Sequence, residues 1–526
     1  MKHNSRFTLD FLRNRNERGE DSARAGGYER SRLPATLLVA FSVAVLSACA
    51  VGPDYVRPVM ESPTAFKESK DWKVAEPRDH ELGDHWWESY NDPILNALIT
   101  QIEISNQNLA QAEAKYRQAR ALVQQSRAAY FPTVGANVAA TRSGGGGANS
   151  RSGTTNSTSG NSGSASNNYS LSLNASWEPD LWGQVRRTVE SNQANAQASA
   201  ANLQAAKLSA QSALAQDYWQ LRILDAQTNL LQDTVAAYQK SFTLTQNQYA
   251  AGVVAQSDVI QAQTQLKSAQ AQMIDLGVQR AQTEHAIALL VGQPASIFSI
   301  APAPLVAVVP AIPTGIPSSL LERRPDISAA ERLAAAANAQ IGVAKAAYFP
   351  ALTLSASGGF ESNSFVNWLS LPSRVWSLGP ALAQTIFDGG ARKAQTDQAI
   401  ANYDSTVAGY KQAVLTSFQE VEDNLAALRI LEQEAQVQDE TVVSARKAVT
   451  LILNQYKAGL VNYTSVATVQ ATALSAENSA LSILNRRMAA SVQLIAALGG
   501  GWNQNELPDN AALNHGKTPV TSPAPN

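Results

Sequence analysis

The chain has 526 residues, a formal net charge of -2 and only 16% charged side chains. So small a net charge leaves no strong field pointing to nucleic acid or to an acidic partner, and no nucleic-acid partner is expected. A single cysteine, Cys49, excludes internal disulfides and cysteine-based metal clusters. The five histidines are His3, His80, His85, His285 and His515, and the close pair His80 and His85 lacks a third ligand nearby. There is no phosphate-cradling Gly-Lys loop, no nucleophile elbow and no His-Glu-x-x-His helix in the sequence. The expectation is a protein that is not an enzyme and that uses neither metal nor cofactor.

The N-terminal region carries an address. Leu33–Leu46 is a short apolar stretch, too short to span a bilayer comfortably, preceded by Arg24, Arg30 and Arg32. Basic flank, short apolar core and small residues at its end make a secretory signal. It ends in Leu46-Ser47-Ala48-Cys49, which resembles the bacterial lipobox, where the cysteine is lipidated and becomes the first mature residue. A covalent lipid on Cys49 is therefore expected. Ala50 in place of Asp implies, for lipoproteins generally, release to the outer membrane. The basic stretch Met1–Arg32 is long for a signal's leading segment, so the start of translation is expected downstream of Met1. Residues 1–48 are read as signal and extension, and 49–84 as a lipidated N-terminal segment.

From there the chain repeats itself. Ala129–Pro132 (AYFP) returns as Ala347–Pro350, and Asn247–Gly252 (NQYAAG) returns as Asn454–Gly459 (NQYKAG). Between them, WGQVRR near Trp182 corresponds to DGGARK near Asp388, pairing Gly183 with Gly389. The first copy is longer within Arg142–Asn168, which is almost wholly Gly, Ser, Asn and Thr and reads as an exposed flexible loop. The two structural repeats occupy 85–292 and 318–500. A Pro-rich linker, 293–317, joins them, and the polar tail 501–526 reads as disordered.

Each repeat contains two strands. Tyr169, Leu171, Leu173, Ala175 and Trp177 alternate with Ser170, Ser172, Asn174 and Ser176. Leu352, Leu354, Ala356, Gly358 and Phe360 alternate with Thr353, Ser355 and Ser357. This period of two gives a sheet with one apolar and one polar face. Runs of about nine or ten residues match a tilted strand that crosses the hydrocarbon layer. Tyr169, Trp177, Trp368 and Trp376, expected at strand ends, match the aromatic girdles of membrane barrels. Four strands cannot close a barrel alone, and lipid does not tolerate bare sheet edges, so an obligate oligomer is expected.

Each repeat then enters a very long helix. From Val185 to Ala250 there is no proline and no glycine, enough for about 100 Å at the helical rise. Leu214, Leu221, Leu224, Leu231, Val235, Tyr238, Phe242 and Tyr249 form a heptad seam. Val421, Leu428, Leu431, Val442, Val449 and Tyr456 repeat most of it. Gly252 and Gly459 stop these helices as left-handed caps, and the chain returns through Asp258–Gly292 and Thr464–Gly499.

Several separate motifs now agree. Val51-Gly52-Pro53-Asp54-Tyr55 with Arg57-Pro58, HWWESYNDPILNALI from His85, LLERRPDI at Leu320–Ile327 and the paired AYFP and NQYxxG elements resemble the outer-membrane factor family. These are TolC-like ducts of tripartite efflux systems, and the chain is similar to their NodT-type lipoprotein branch over residues 49–500. The resemblance implies a mainly α fold with membrane β. A long antiparallel α-helical barrel would join a 12-stranded β-barrel shared by three chains, with four strands from each. It implies a homotrimer, lipid-anchored in the cell outer membrane and extending into the periplasm. A periplasmic adaptor and an inner-membrane pump are the expected partners, and the duct is passive.

The resemblance also assigns positions. Tyr249, Gly252, Tyr456 and Gly459 would lie at hairpin tips that gate the tunnel and meet the adaptor. Arg323 and Arg324 with Asp326 would cap and brace the start of a helix at the tunnel's equator, with Pro325 in its first turn. The chain departs from the family where several members place acidic residues after the second tip. Ser465 and Thr468 stand there, while Asp258 occupies the equivalent of Ser465 in the first repeat. Two other readings stay open: an exit duct for type I protein secretion, and a structural coiled-coil outer-membrane lipoprotein. Cargo is not legible.

Overall fold

The computed structural model describes residues 50–69, 85–144, 165–306, 308–310, 312, 318 and 320–514. The signal and extension, Cys49 itself, residues 70–84, most of the Gly/Ser loop and the last residues of the linker and tail lie outside the described residues.

In chain order, a 3-10 turn at Trp86–Tyr90 leads into α1 (Pro93–Ser105) and α2 (Gln107–Ala128). Strands β1 (Thr133–Ser143) and β2 (Ser166–Trp177) follow, then the hairpin of α3 (Gln184–Ala250) and α4 (Gln256–Leu290). The second half runs through α5 (Leu320–Arg323), α6 (Pro325–Ala346), β3 (Ala351–Ser362), β4 (Arg374–Ala383), α7 (Ala391–Lys457) and α8 (Tyr463–Ala497). A short α9 (Asn510–Asn514) comes last.

The repeat is metrically close. Helices α3 and α7 each have 67 residues, about 100 Å of rod. Helices α2 and α6 each have 22, and α4 and α8 each have 35. The long helices start at left-handed glycines, Gly183 (φ 81°) and Gly390 (φ 93°). The sequence pairing of Gly183 with Gly389 is thus out by one residue: equal helix lengths pair Gly183 with Gly390. Local capping explains the slip. Asp180 accepts from the amides of Val185 and Arg186, whereas Asp388 accepts from Gly390 and Arg392, so carboxylates at different offsets from the glycine share only the second helical amide.

Each long helix is matched by two shorter ones that meet end to end. Asn106 caps α2 through Leu109 N at 2.9 Å, and its amide donates to the carbonyl of Leu290 at the end of α4 at 2.7 Å. In the second repeat Arg324 precedes α6 and donates to Ala497 O at the end of α8 at 3.0 Å. Carbonyls that a helix end leaves unpaired are satisfied in this way. The broadest hydrophobic core lies around the level of these junctions and includes Trp86, Tyr90, Ile99, Tyr218, Trp219, Leu425 and Ile495.

The linker joins this core. Ile300 and Ile312 are buried in it. Arg222 and Arg280 donate to the carbonyls of Ala301 and Ile300 at 3.0 and 2.7 Å, and both arginines pair with the buried Asp225. The heptad seam is buried along its middle, at Leu214, Leu221, Leu224, Leu231, Val421, Leu428 and Leu431. Val235, Phe242, Val442 and Val449 are half-buried.

The four strands form one antiparallel sheet in the order β1-β2-β3-β4. Three expectations change. The strands extend into the Gly/Ser segment, pairing Arg142 with Asn167 and Ser143 with Ser166; main-chain pairing does not require apolar side chains. Of the aromatics expected at strand ends, Trp177 ends β2, but Tyr169 and Trp376 lie inside strands and Trp368 lies in the β3–β4 connection. The tail is ordered through Asn514: Asn503 and Glu506 form a capping box, and Leu513 is buried with Val123 and Ala196. Gln124 and Gln193 hold the carbonyl of Leu513 and the side chain of Asn514 at 2.7 and 2.9 Å. Polar composition alone concealed this, because one apolar side chain and glutamines on α2 and α3 supply the docking.

Candidate functional site

Register divides the sheet into two chemistries. Side chains of directly paired residues share a face. The pairings Val134–Ala175, Ala136–Leu173 and Val138–Leu171 continue into Ala356, Gly358 and Phe360 of β3. They continue again into Leu378 and Trp376 of β4. This makes one apolar face, and none of the described residues covers it: Val134, Leu173, Trp376, Leu378 and Leu382 are all exposed. The other face carries Asn137, Asn174, Ser172, Ser170, Ser355, Ser357 and Ser377, with Ser357 and Ser377 hydroxyls 2.8 Å apart. An apolar outside and a hydroxyl- and amide-lined inside are the requirements of a sheet between lipid and water. Among the described residues, strands β1 and β4 each have a free edge.

At the far end of the molecule are the two hairpin tips. Gly252 (φ 73°) and Gly459 (φ 74°) end α3 and α7. In each, the glycine amide donates to a tyrosine carbonyl (Tyr249 or Tyr456) while the next amide reaches one residue further back, to Gln248 or Gln455. This is the Schellman arrangement, and it needs a residue that tolerates positive φ. The tyrosines diverge. Tyr456 is 1% exposed, whereas Tyr249 is 45% exposed. Tyr456 shares a hydrogen bond with Thr245 at 2.9 Å and meets Tyr463 edge-on, with ring centroids 5.7 Å apart. Burial pushes the Tyr456 phenol above its ordinary value; the Thr245 hydrogen bond opposes this and the nearby Asp258 carboxylate adds to it.

The first turns after the tips also differ. Asp258 lies in the first turn of α4, where a carboxylate complements the helix dipole. Ser465 and Thr468 lie in the opening of α8, which Asn462 caps through the Ser465 amide at 3.1 Å. Thr468 bonds back to the Thr464 carbonyl at 2.9 Å. The hairpins are stitched by uncharged groups: Tyr463 to Gln265 at 3.0 Å, Thr464 to Gln261 at 3.0 Å, and Gln265 to Gln470 at 3.3 Å. A groove of about 950 Å³ runs along these helices, lined by groups such as Gln261, Thr264, Ser268, Thr468 and Asn478.

At the equator the motif Arg323-Arg324-Pro325-Asp326 separates into roles. Pro325 occupies the first position of α6. Arg324 is buried and forks onto Asp326 at 3.0 and 2.6 Å, and reaches Glu420 at 2.7 Å and Ala497 O at 3.0 Å. Arg323 contributes its backbone, against which Gly499 packs. Sequence reasoning missed Glu420, Asn106 and Gly499, since partners about 100 to 180 positions away leave no local trace. Cys49 lies outside the described residues. The next residues are held at the sheet–helix boundary: Val51 N donates to Trp182 O at 3.1 Å, and Trp182 stacks on Phe349.

Known proteins share this arrangement. Residues 98–293 and 316–500 match the profile of the Outer membrane efflux protein family. The chain belongs to the outer membrane efflux protein family. It is 31% identical over 479 residues to the toluene efflux pump outer membrane protein TtgF of Pseudomonas putida, covering 89% of this chain and 97% of that protein. It is 28% identical to the cation efflux system protein CusC of Escherichia coli, covering 89% and 99%. The solved structure of the outer-membrane channel OprN superposes with a TM-score of 0.79 at 30% identity, covering 86% of this chain and all of that one.

The efflux family is a channel family, not an enzyme family. The chain is an outer-membrane channel component of an efflux system, with its β domain in the outer membrane and its helices extending into the periplasm. The long rods and the two-faced sheet are the parts such a duct requires.

Proposed function

We propose that three copies close into one duct: a 12-stranded barrel continued by a ring of long helices, through which small molecules leave passively. The observation that carries this is the sheet itself, apolar on one face and, among the described residues, unpaired at both edges. In lipid each bare edge group costs several kcal/mol, so edge strand β4 of one copy has to pair with β1 of the next. Two rods of 67 residues per chain continue that ring into the periplasm. Electron microscopy of the detergent-solubilised protein should show three-fold rings, and planar bilayers should show conductance. A monomer that forms no pore overturns the reading, and a structural coiled-coil lipoprotein would give that result.

The partners follow from the shape. The protein holds no energy-coupling device that the sequence reveals, so a pump in the inner membrane and a periplasmic adaptor at the exposed tips around Tyr249, Gly252, Gly459 and Asp258 complete the path. Cargo is set by the pump: relatives named for toluene and for cations both match this chain over about nine-tenths of its length, and the inward face of the sheet is mostly hydroxyl and amide. A covalent lipid on Cys49 fits the anchoring of Val51 at the sheet–helix boundary, where an acyl chain reaches the inner leaflet. Intact mass of the mature protein tests it; a mass that includes residues before Cys49 sinks the lipoprotein assignment. No chemical reaction is proposed.

A further inference from the structure

Three residues carry charge in the four strands and the β3–β4 connection: Arg142 in β1, Glu361 in β3 and Arg374 in β4. Register sorts them by sign. Arg142 is in phase with Val134 and Val138, and Arg374 is in phase with Trp376, Leu378 and Leu382, so both arginines belong to the lipid-facing side. Glu361 pairs with Ser170 on the polar face and accepts a hydrogen bond from Asn168 at 2.9 Å.

Both arginines also lie at one end. Arg142 is next to the last residue of β1 and Arg374 is the first of β4, the end remote from the helices. Eight residues separate Val134 from Arg142, so at about 3.4 Å each and a tilt of about 40° the arginine stands roughly 20 Å above it, at the upper limit of an apolar band. With the helices in the periplasm, that level is the outer leaflet. Both side chains are exposed, and among the described residues neither forms an ion pair. Arg374 lies opposite Phe360 and beside Trp376, aromatic rings that hold the strand end at the headgroup level.

An unpaired guanidinium at this depth faces the headgroups, and its planar fork matches phosphate oxygens bidentately. Burial in hydrocarbon is avoided at the interface, where the cost of a cation is small. We propose that Arg142 and Arg374 form a binding site for the phosphate groups of the outer-leaflet glycolipid, anchoring the rim of the sheet in that leaflet. Under the three-copy reading above, β4 of one copy stands beside β1 of the next, and the two arginines converge on each seam. Lipid binding then depends on two copies.

The test uses purified full-length protein and native mass spectrometry with three probes: bis-phosphorylated lipid A, dephosphorylated lipid A and inorganic phosphate. The wild type should retain lipid A and not its dephosphorylated form. The Arg142→Gln/Arg374→Gln variant should lose roughly 30-fold in lipid A affinity, the order expected for two arginines beside anionic lipid. Glu361→Gln, at the same height on the other face, should match wild type. Equal binding of the dephosphorylated lipid, or undiminished binding by the double variant, overturns the site. Displacement by equimolar inorganic phosphate shows an anion site and overturns the lipid assignment. Should the double variant not fold, the two single variants and the Lys pair, which keeps charge without the fork, make the same comparison. Oligomer mass read from the same spectra separates failure of the ring from failure of the lipid site.

Discussion

Gly499 lies directly against the backbone of Arg323: a Cβ there would overlap the Arg323 carbonyl oxygen and stand 2.8 Å from its carbonyl carbon. The first repeat makes the same approach, with Gly292 against Ser105 and the same 2.8 Å to the carbonyl carbon. Both glycines also have positive φ, 98° and 69°. These two contacts let α8 meet α6, and α4 meet α2, closely enough for a side chain to bridge each junction.

Gly499→Ala and Gly292→Ala should therefore each lower stability by about 2 kcal/mol or more, since alanine adds left-handed strain to the overlap. Gly135→Ala, in β1 with no neighbour within 4 Å of its Cβ position, should stay close to wild type. Thermal denaturation of the three variants in detergent checks this; equal shifts would remove the close-approach explanation.

Arg324→Lys should destabilise almost as much as Arg324→Ala, by about 2 kcal/mol. Lysine keeps the charge but cannot hold Asp326 with a fork while reaching Glu420 and Ala497 O. Arg323→Ala should leave the close approach of Gly499 intact, because that contact is made by the Arg323 backbone. Denaturant midpoints at constant slope distinguish the two arginines.

The tips should respond unequally. Tyr456→Phe loses one hydrogen bond to Thr245, about 1 kcal/mol, while Tyr456→Ala also opens a cavity and should cost about 3 to 5 kcal/mol. Tyr249→Ala, at a half-exposed position, should change stability by less than about 0.5 kcal/mol. Urea unfolding of each variant provides the comparison.

Tyr456 and Tyr463 both have phenol pKa values raised chiefly by burial. The unfolded phenol loses its proton near pH 10 and the folded one only above that. Proton binding thus favours the folded state, so this stability is complete below about pH 10 and falls as pH rises beyond it. Tyr456→Phe/Tyr463→Phe should flatten the alkaline loss in a pH series of melting curves. An unchanged alkaline slope would place the loss elsewhere.

Asp258→Asn should reduce cation preference in single-channel recordings, if three such carboxylates ring the tip as the proposed assembly requires. It should also cost about 0.5 kcal/mol through the lost charge at the start of α4. Unchanged selectivity with that small stability loss would leave Asp258 a helix-terminal residue only.

The sequence by itself determined the parts with a local period. Alternation at two marked β2 and β3, heptads with no interruption marked the rods, and NQYxxG marked both tips, since each depends on neighbours within a few positions. Internal repetition and motif order also carried the family. Only the tertiary structure decided which residues meet at the ends of elements: Arg324 with Glu420 and Ala497, Asn106 with Leu290, Gly499 with Arg323, and the linker with Arg222 and Arg280. It also decided that Tyr456 is buried where Tyr249 is not, although both sit in the same motif. The reason is physical: a helix or strand is dictated by spacing along the chain, whereas a junction is dictated by what another part of the chain brings to it.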